Sequence, residues 1–256
     1  MARRFERLAF VASPTEDARQ AAATLMRRYD HVSPDEADVV VALGGDGLML
    51  QTLHRFMHAG TPIYGMNRGT VGFLMNEFRE DGLIERLEST KRSIIHPLMM
   101  EAEDIEGRRH QARALNEVYM LRQTHQTAKL RISVDGHVRL PELIADGVLA
   151  ATPAGSTAYN LSVGGPILPL NARLLALTPI SAFRPRRWRG ALLPDYARIE
   201  IEVLDAEHRP VAAVADHTEF RRVSRVQTWL DHATNLTLLH DPGHSLDERI
   251  LREQFG

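Results

Sequence analysis

The 256-residue sequence contains no cysteine, so neither a disulfide nor a cysteine-ligated zinc site can form. A reducing cytoplasm is the compartment that this composition favours. No apolar run approaches the roughly 18 residues of a membrane span, and no signal-like apolar segment follows the N-terminal charges. The formal net charge of −2 provides no basic field that would attract nucleic acid or an anionic membrane. We therefore expect a soluble cytoplasmic protein that binds neither.

Lysine is almost absent as well. Of the 31 basic residues only Lys91 and Lys129 are lysines, and neither follows a glycine-rich loop. The P-loop pattern ending in Gly-Lys-Ser/Thr is therefore missing, and no G-x-G-x-x-G dinucleotide fingerprint occurs. Any phosphate chemistry must rely on backbone amides, a metal ion and arginine.

The first 80 residues alternate between apolar runs and helical patterns. Residues 8–13 and 61–66 are typical of strands, and residues 17–29 carry apolar side chains at helical spacing. Residues 38–43 form a β-branched run that is typical of a parallel strand buried on both faces. A helix is expected to begin near residues 46–48, so this region predicts a doubly wound α/β domain.

From about residue 96 short alternating segments replace the helical patterns, and proline and glycine interrupt them. This texture predicts an antiparallel, β-rich second domain. A closing amphipathic helix is expected over residues 245–255. The predicted strands of the second domain lie within residues 111–121, 130–134, 148–152, 199–204, 211–214 and 236–239.

Gly44-Gly45-Asp46-Gly47 is the strongest local signal, since it lies between a buried strand and a helix. Glycines leave backbone N–H groups uncovered, and a helix N-terminus adds partial positive charge, so phosphate can bind there. A carboxylate in such a loop is repelled by phosphate unless it holds a metal or accepts a proton. The structural alternative is that Asp46 simply caps the helix.

A second polar constellation occupies residues 145–166. It comprises Asp146, the run from Thr152 to Ser162, and Gly164-Gly165-Pro166. Small hydroxyl residues beside glycines offer many donors and acceptors with little bulk, as a ligand lying along the backbone requires. A plain Gly/Ser/Thr loop between strands is the alternative on composition alone.

Asn116-Glu117 begins an apolar stretch, where a buried glutamate would need a partner. The carboxylate could accept hydrogen bonds from the two hydroxyls of a ribose diol. As an isolated dipeptide it is a weak signal, and a solvated strand end is the favoured alternative.

Together these motifs, with Thr178-Pro179-Ile180, resemble bacterial NAD kinases in order and spacing over nearly the whole chain. The segment 152–166 is the most specific part. The resemblance implies a Rossmann-like α/β domain over residues 1–96, with the tail 240–256 packing back on it. It also implies a β-sandwich NAD-binding domain over residues 97–239, and NAD in the cleft between the two domains.

The implied reaction transfers the γ-phosphate of ATP to the 2′-hydroxyl of the adenosine ribose of NAD, giving NADP. Mg²⁺ is expected as the divalent cofactor, with no metal site built by the protein alone. A homodimer or homotetramer is implied, in which one subunit contributes to its neighbour's pocket. Asp46 matches the catalytic base. The implied substrate-binding residues are Gly44, Gly45, Gly47, Phe73 (a wall near the adenine), Asn116, Glu117, Asp146, Ala154, Ser156, Thr157, Ala158, Tyr159, Asn160 and Ser162.

The chain departs from the family pattern at two positions. Ile144 stands where many relatives have arginine, and Asp216-His217 where many have Asp-Gly. We expect His217 in an exposed turn, and the basic run 184–189 in a loop that faces phosphate or an interface.

Two other functional classes remain to be weighed. A lipid or sphingoid-base kinase shares the Gly-Gly-Asp-Gly loop, but the segment 152–166 argues against it. A non-catalytic NAD sensor would keep the pocket without turnover, but the presence of Asp46 argues against that.

Overall fold

The computed structural model describes residues 5–69, 73–243 and 246–255, and the chain divides into two compact units. Unit 1 comprises Met1–Ile95 and Thr234–Gly256, and unit 2 comprises His96–Ala233.

The strands, in chain order, are β1 (Leu8–Ala12), β2 (Val39–Gly44), β3 (Ile63–Asn67), β4 (Lys91–Ile95), β5 (Leu98–Asp104), β6 (Arg109–Ala114), β7 (Glu117–Arg122), β8 (Ala128–Val134), β9 (His137–Ala145), β10 (Gly147–Ala151), β11 (Leu174–Ile180), β12 (Ala191–Pro194), β13 (Ile199–Val203), β14 (Val211–Ala215), β15 (Thr218–Phe220), β16 (Val223–Leu230) and β17 (Leu236–His240). The helices are α1 (Glu16–Arg28), α2 (Asp46–Arg55), α3 (Leu83–Ser89), α4 (Tyr159–Ser162) and α5 (Leu246–Phe255), with 3-10 turns at Pro34–Glu36 and Ala154–Thr157. Along the described residues no helix is long and apolar enough to cross a membrane.

Unit 1 is built on a five-stranded sheet in the order β1-β2-β3-β17-β4, parallel except for β4. Strand β2 is buried along its whole length, because helices cover both faces of the sheet. Leu25 of α1 packs with Phe10 and Val41 on one face, whereas Met49 of α2 lies against Gly65, which points to the other. The chain therefore leaves β1 and β2 toward opposite faces, and a crevice forms at their carboxyl ends.

Strand β17 corrects the sequence-based prediction, which assigned residues 236–239 to the β-rich domain. In the structure β17 lies between β3 and β4 in the sheet of unit 1. An apolar segment buried on both faces suits a central position, but periodicity does not reveal which sheet a strand joins. Helix α5 belongs to the same unit, where Ile250 is buried; Ser245 of the predicted tail helix lies outside the described residues.

Unit 2 consists of two six-stranded antiparallel sheets, in the orders β12-β11-β10-β7-β14-β15 and β6-β5-β16-β13-β8-β9. Side chains from both sheets share one core, which includes Val148 and Ala150 of β10 with Ile132 of β8 and Val226 of β16. The two sheets thus form a sandwich. This architecture confirms the predicted α/β domain followed by a β-sandwich domain.

The first of these sheets is covered on its outer face as well. Leu149 and Ala151 of β10 point away from the sandwich core and pack with Leu168 and Tyr159 from the segment that follows β10. Every residue of β10 is consequently buried. The covering segment is the polar run singled out in the sequence, so the fold lays it directly on a sheet.

His240 is a buried titratable side chain at the end of β17. It is fully buried, and both ring nitrogens lack a hydrogen-bond partner among the residues that the structure describes. Burial, together with the positive charge of Arg249, lowers the pKa of His240 to about 4, whereas Asp241 acts in the opposite sense. The neutral ring is therefore part of the folded state.

We predict that His240→Leu reduces the loss of stability at acidic pH. The unfolded chain takes up a proton on this imidazole below about pH 6.5, while the folded chain resists protonation until about pH 4. Above about pH 6.5 His240 therefore does not reduce the free energy of unfolding through protonation. On going down to pH 5 this free energy falls by roughly 2 kcal/mol. Thermal melts at pH 7.5 and 5 should show a smaller drop in Tm for His240→Leu than for wild type. Exposed His58→Leu is the control, and an undiminished drop in His240→Leu would contradict the prediction.

Candidate functional site

The glycine loop lies at the carboxyl end of β2, in the crevice of unit 1. Strand β2 ends at Gly44, and Gly45 in extended conformation is the N-cap residue of α2. A Cβ at Gly45 or Gly47 would have no described atom within 4 Å, so the loop's surface is open. Open backbone amides at a helix N-terminus are the usual requirements for binding phosphate.

Asp46 is the first residue of α2, and its carboxylate contacts the chain that follows β3. Oδ2 accepts the backbone N–H of Phe73 at 2.6 Å, and Oδ1 accepts that of Leu74 at 2.8 Å. The alternative in which Asp46 caps α2 does not occur, because Gly45 is the N-cap and no side chain caps this helix. Two amides therefore hold the carboxylate beside the glycine loop, with further lone pairs left to accept.

Phe73 is held from a second direction, because the Arg249 guanidinium of α5 donates to its carbonyl oxygen at 2.7 Å. The tail helix thus anchors the segment that Asp46 also binds. Residues 70–72, which precede Phe73 in the chain, lie outside the described residues.

The second part of the candidate site lies in unit 2, where Asp216 fixes the entry to β7. Its carboxylate accepts the backbone N–H groups of Leu115, Asn116 and Glu117 at 2.7, 3.0 and 3.3 Å. Asp216 has a positive φ of 50° in the two-residue turn between β14 and β15, a conformation that Asp and Asn tolerate best after glycine. His217, the other turn residue, is exposed as expected.

The same segment is held on its other side by the residues that follow β10. The Thr152 hydroxyl donates to the Leu115 carbonyl at 2.7 Å, and the Thr152 N–H donates to that of Asn116 at 2.9 Å. A Cβ on Gly155 would lie 2.2 Å from the Asn116 carbonyl oxygen, so only glycine permits this approach. Asn116 and Glu117 are therefore presented on a rigid backbone.

Glu117 carries the most perturbed carboxylate of the predicted site. Its side chain is 7% exposed, and Oε2 has no hydrogen-bond partner among the described residues. Burial, together with the negative charge of Asp216, raises the pKa of Glu117 to about 7, and the hydrogen bond from the Tyr159 backbone N–H acts in the opposite sense. A buried acceptor left open in this way is suited to a ligand that brings its own donors.

The polar run divides into residues that hold the loop and residues that are open to a ligand. Ala154, Ser156 and Asn160 are buried. The Asn160 amide donates to the carbonyls of Ser156 and Pro166 and accepts from the Thr178 hydroxyl, so it organises the loop. Ligand contacts by these three remain predictions.

The outer set is partly or fully exposed: Thr157, Ala158, Tyr159 and Ser162. The Tyr159 ring meets Tyr119 of β7 edge to face, with centroids 5.1 Å apart. Since the Tyr159 N–H also approaches Glu117, the structure brings an aromatic surface to the open carboxylate.

Asp146 is not brought to this cluster. It precedes β10 and pairs with Arg122 at 2.6 Å, whereas Glu117 pairs in register with Ala151 at the other end of that strand. Residues 147–150 lie between Asp146 and the position of Ala151, so the two positions are five residue steps, about 17 Å, apart along the strand. Ile144 forms an isolated antiparallel β-bridge with Arg184. The arginines of the basic run are exposed and form no ion pair with the described carboxylates; they are Arg184, Arg186, Arg187 and Arg189.

The organising role of Asp216 is not predicted by the sequence motifs. In the sequence the Asp216-His217 pair stands out only as a departure from the family pattern. A signal was present, since an aspartate that opens a two-residue turn between apolar strands commonly bonds to neighbouring backbone amides.

The α/β unit carries a glycine loop with a carboxylate, and the sandwich that follows it in the chain presents a second carboxylate and a polar loop. These features are typical of a nucleotide-binding phosphotransferase. Comparison with family models narrows this class. Residues 3–92 match the ATP-NAD kinase N-terminal domain, and residues 115–229 match the ATP-NAD kinase C-terminal domain. The chain belongs to the NAD kinase family, and the lipid-kinase alternative is not favoured.

Relatives of high identity agree. The chain is 59% identical to the NAD kinase of Caulobacter vibrioides over 250 residues, which cover 98% of this chain and 96% of that protein. It is 56% identical to the NAD kinase of Rhizobium meliloti over 256 residues, which cover both chains completely.

Two solved structures share the fold. Yeast NADH kinase complexed with NADH superposes with a TM-score of 0.84 at 21% identity, covering 98% of this chain and 87% of that one. An NAD kinase from Archaeoglobus fulgidus in complex with ATP superposes with a TM-score of 0.77 at 22% identity, covering 98% of each chain.

We predict that Glu117→Gln stabilises the protein above pH 7. Glu117 ionises near pH 4.5 in the unfolded chain but only near pH 7 in the folded chain. The free energy of unfolding of the wild type therefore falls as the pH rises from about 4.5 through 7. The difference corresponds to a cost on the order of 3 kcal/mol at pH 8. Thermal melts should show Glu117→Gln more stable than wild type at pH 8 and nearly equal to it at pH 5. Exposed Glu101→Gln is the control, and an equal Tm of Glu117→Gln and wild type at pH 8 would contradict the prediction.

Proposed function

We propose that this chain transfers the γ-phosphate of ATP to the 2′-hydroxyl of the adenosine ribose of NAD, giving NADP. The observation that carries the proposal is the Glu117 carboxylate, which is buried with one oxygen open and lies beside the Tyr159 backbone. Two neighbouring ribose hydroxyls can donate to a carboxylate and so compensate the cost of burying it.

NAD would lie along the outer residues of the polar run. Thr157 and Ser162 offer hydroxyls, Tyr159 offers a ring for stacking, and Ala158 leaves room for the ligand. Asn116 stands beside Glu117, and its backbone is held by Asp216, Thr152 and Gly155. A rigid backbone presents polar groups in a fixed geometry, which lowers the entropic cost of binding.

Asp46 would act on the hydroxyl that attacks. A ribose hydroxyl is a weak nucleophile at neutral pH, and a carboxylate within reach can orient it and accept its proton as the new P–O bond forms. The amides of Phe73 and Leu74 fix the carboxylate for this task. The donor phosphates would be bound by the backbone of Gly44, Gly45 and Gly47. Phe73 would form a wall of the pocket near the adenine.

We further propose Mg²⁺ as the cofactor. No group of three or more carboxylates or histidines able to hold a metal occurs among the described residues, while Asp46 places one carboxylate at the phosphate loop. One carboxylate plus phosphate oxygens is the usual setting for Mg²⁺ in phosphoryl-transfer enzymes, so the residues fit an ion that arrives with the nucleotide. Bound there, the ion would neutralise charge on the triphosphate.

A homo-oligomer is supported by the position of Asp146. Within one chain it lies at the far end of β10 from Glu117, so an NAD contact by Asp146 would most simply be made in a neighbouring subunit. Dimer or tetramer, and the cytoplasmic location, stay predictions.

One coupled assay tests the proposed function. Purified protein is incubated with Mg-ATP and either NAD or diacylglycerol, and NADP is followed enzymatically. The expected result is that NADP forms in the reaction with NAD and that diacylglycerol is not phosphorylated. Phosphorylated lipid would instead indicate a lipid kinase, and NAD binding without turnover would indicate a sensor.

We predict that Asp46→Asn lowers kcat by about 10²–10⁴, the usual contribution of a general base, with little change in the KM for NAD. The variant also exchanges one acceptor oxygen for a donor that faces a backbone N–H, so stability should fall by about 1–3 kcal/mol. Steady-state kinetics and thermal melts measure the two effects separately.

Arg249→Met is the matched control for Asp46→Asn, because it removes the other anchor of Phe73 and leaves the carboxylate in place. It should keep most of the wild-type kcat. An equal fall in kcat in both variants would show that Asp46 acts only by holding the loop.

We predict that EDTA abolishes activity without lowering the Tm. The ion is expected to bind with the nucleotide, so the protein without nucleotide has no metal to lose. Excess Mg²⁺ should restore activity fully. A Tm that falls by several degrees on chelation would reveal a structural metal site instead.

A further inference from the structure

Arg68 lies beside the glycine loop. It follows β3 directly, and its backbone N–H donates to the carbonyl of Gly44 at 2.7 Å, so the pairing of β2 with β3 continues to the loop. Both residues stand at the carboxyl edge of the parallel sheet, where the crevice forms.

The Arg68 side chain is paired at this edge of the sheet. Its guanidinium forms an ion pair with Asp17 in the first turn of α1, the helix that follows β1. Because β2 lies between β1 and β3 and the Arg68 N–H donates to Gly44, the ion pair lies at the carboxyl edge beside the end of β2. The cation is therefore a near neighbour of the point where the glycine loop begins.

The Arg68 guanidinium is held in place, but not all of its N–H donors are used among the described residues. Its Cζ lies over the Phe78 ring, 4.3 Å from the ring centroid, and the side chain is 26% exposed. Its Nε is buried without a hydrogen-bond partner among the described residues. An arginine carries five N–H donors, so donors remain for a second anion.

We propose that Arg68 binds the triphosphate of the phosphoryl donor and replaces the lysine that the glycine loop lacks. The planar fork of an arginine suits bidentate contact with phosphate oxygens. In the free protein Asp17 holds the guanidinium beside the loop, and the incoming phosphate competes with Asp17 for it. This inference rests on the proposed function, because it assigns the donor side of the same site.

The first experiment compares Arg68→Met with Arg7→Met. Arg7 forms an ion pair with Asp38 at the amino edge of the same sheet, far along the strands from the loop. Arg68→Met should raise the KM for Mg-ATP and the Kd for ADP at least tenfold, with the KM for NAD changed less than twofold. Arg68→Lys should recover part of the loss, since it keeps the charge but not the fork. Equal KM and Kd values in Arg68→Met and Arg7→Met, with similar Tm, would overturn the proposal.

The second experiment separates a phosphate contact from a structural ion pair. Asp17→Asn breaks the same pair but leaves the cation in place. If Arg68 binds phosphate, Asp17→Asn should bind ADP at least as tightly as wild type. If Asp17→Asn weakens ADP binding as much as Arg68→Met does, the pair is structural and the proposal is wrong.

Failure of the wider function remains distinguishable from failure of this inference. A wild-type protein that forms no NADP would refute the kinase activity, whatever Arg68 does. An active wild type whose Arg68→Met variant keeps its ADP affinity would refute only the assignment of Arg68.

Discussion

The candidate site of unit 2 depends on how the backbone at residues 115–117 is fixed. Asp216 accepts three successive N–H groups on one side, and Thr152 with Gly155 closes on the other. Two of these groups cannot be replaced freely. Asp216 supplies a carboxylate from a left-handed turn, and Gly155 has no room for a Cβ. With the backbone held in this way, Glu117 is kept buried even though its carboxylate would be more stable in water.

A buried and partly unpaired carboxylate lowers the stability of the free protein, and this cost has a functional explanation. Ribose hydroxyls would supply the missing donors, so part of the energy of substrate binding would come from relieving an unfavourable burial. In unit 1 the carboxylate of Asp46 is instead satisfied by two amides, so it stands in a fixed position before any substrate arrives.

Much of the fold could be read from the sequence. The β-branched run that ends in Gly44 predicted the position of the glycine loop, because a buried parallel strand followed by glycines and an amphipathic pattern leaves few alternatives. The sheet that β17 joins could not be read, since its partners are distant in sequence. The directions of side chains within the polar run were equally hidden: composition marks Ser156 and Asn160 as possible ligand contacts, yet their hydrogen bonds organise the loop. The separation of Asp146 from Glu117 depends on strand register, which motif order does not reveal.

Calorimetry of NAD binding can show whether NAD completes the hydrogen bonding of the Glu117 carboxylate. If the ribose hydroxyls donate to Glu117, binding must favour the ionised form and release up to about half a proton near pH 7. Titrations in buffers of different ionisation enthalpy would measure this release, and Glu117→Gln provides the reference. We expect proton release by the wild type that is lost in Glu117→Gln, whereas equal release by both proteins, or none by the wild type, would contradict a hydrogen bond from NAD to Glu117.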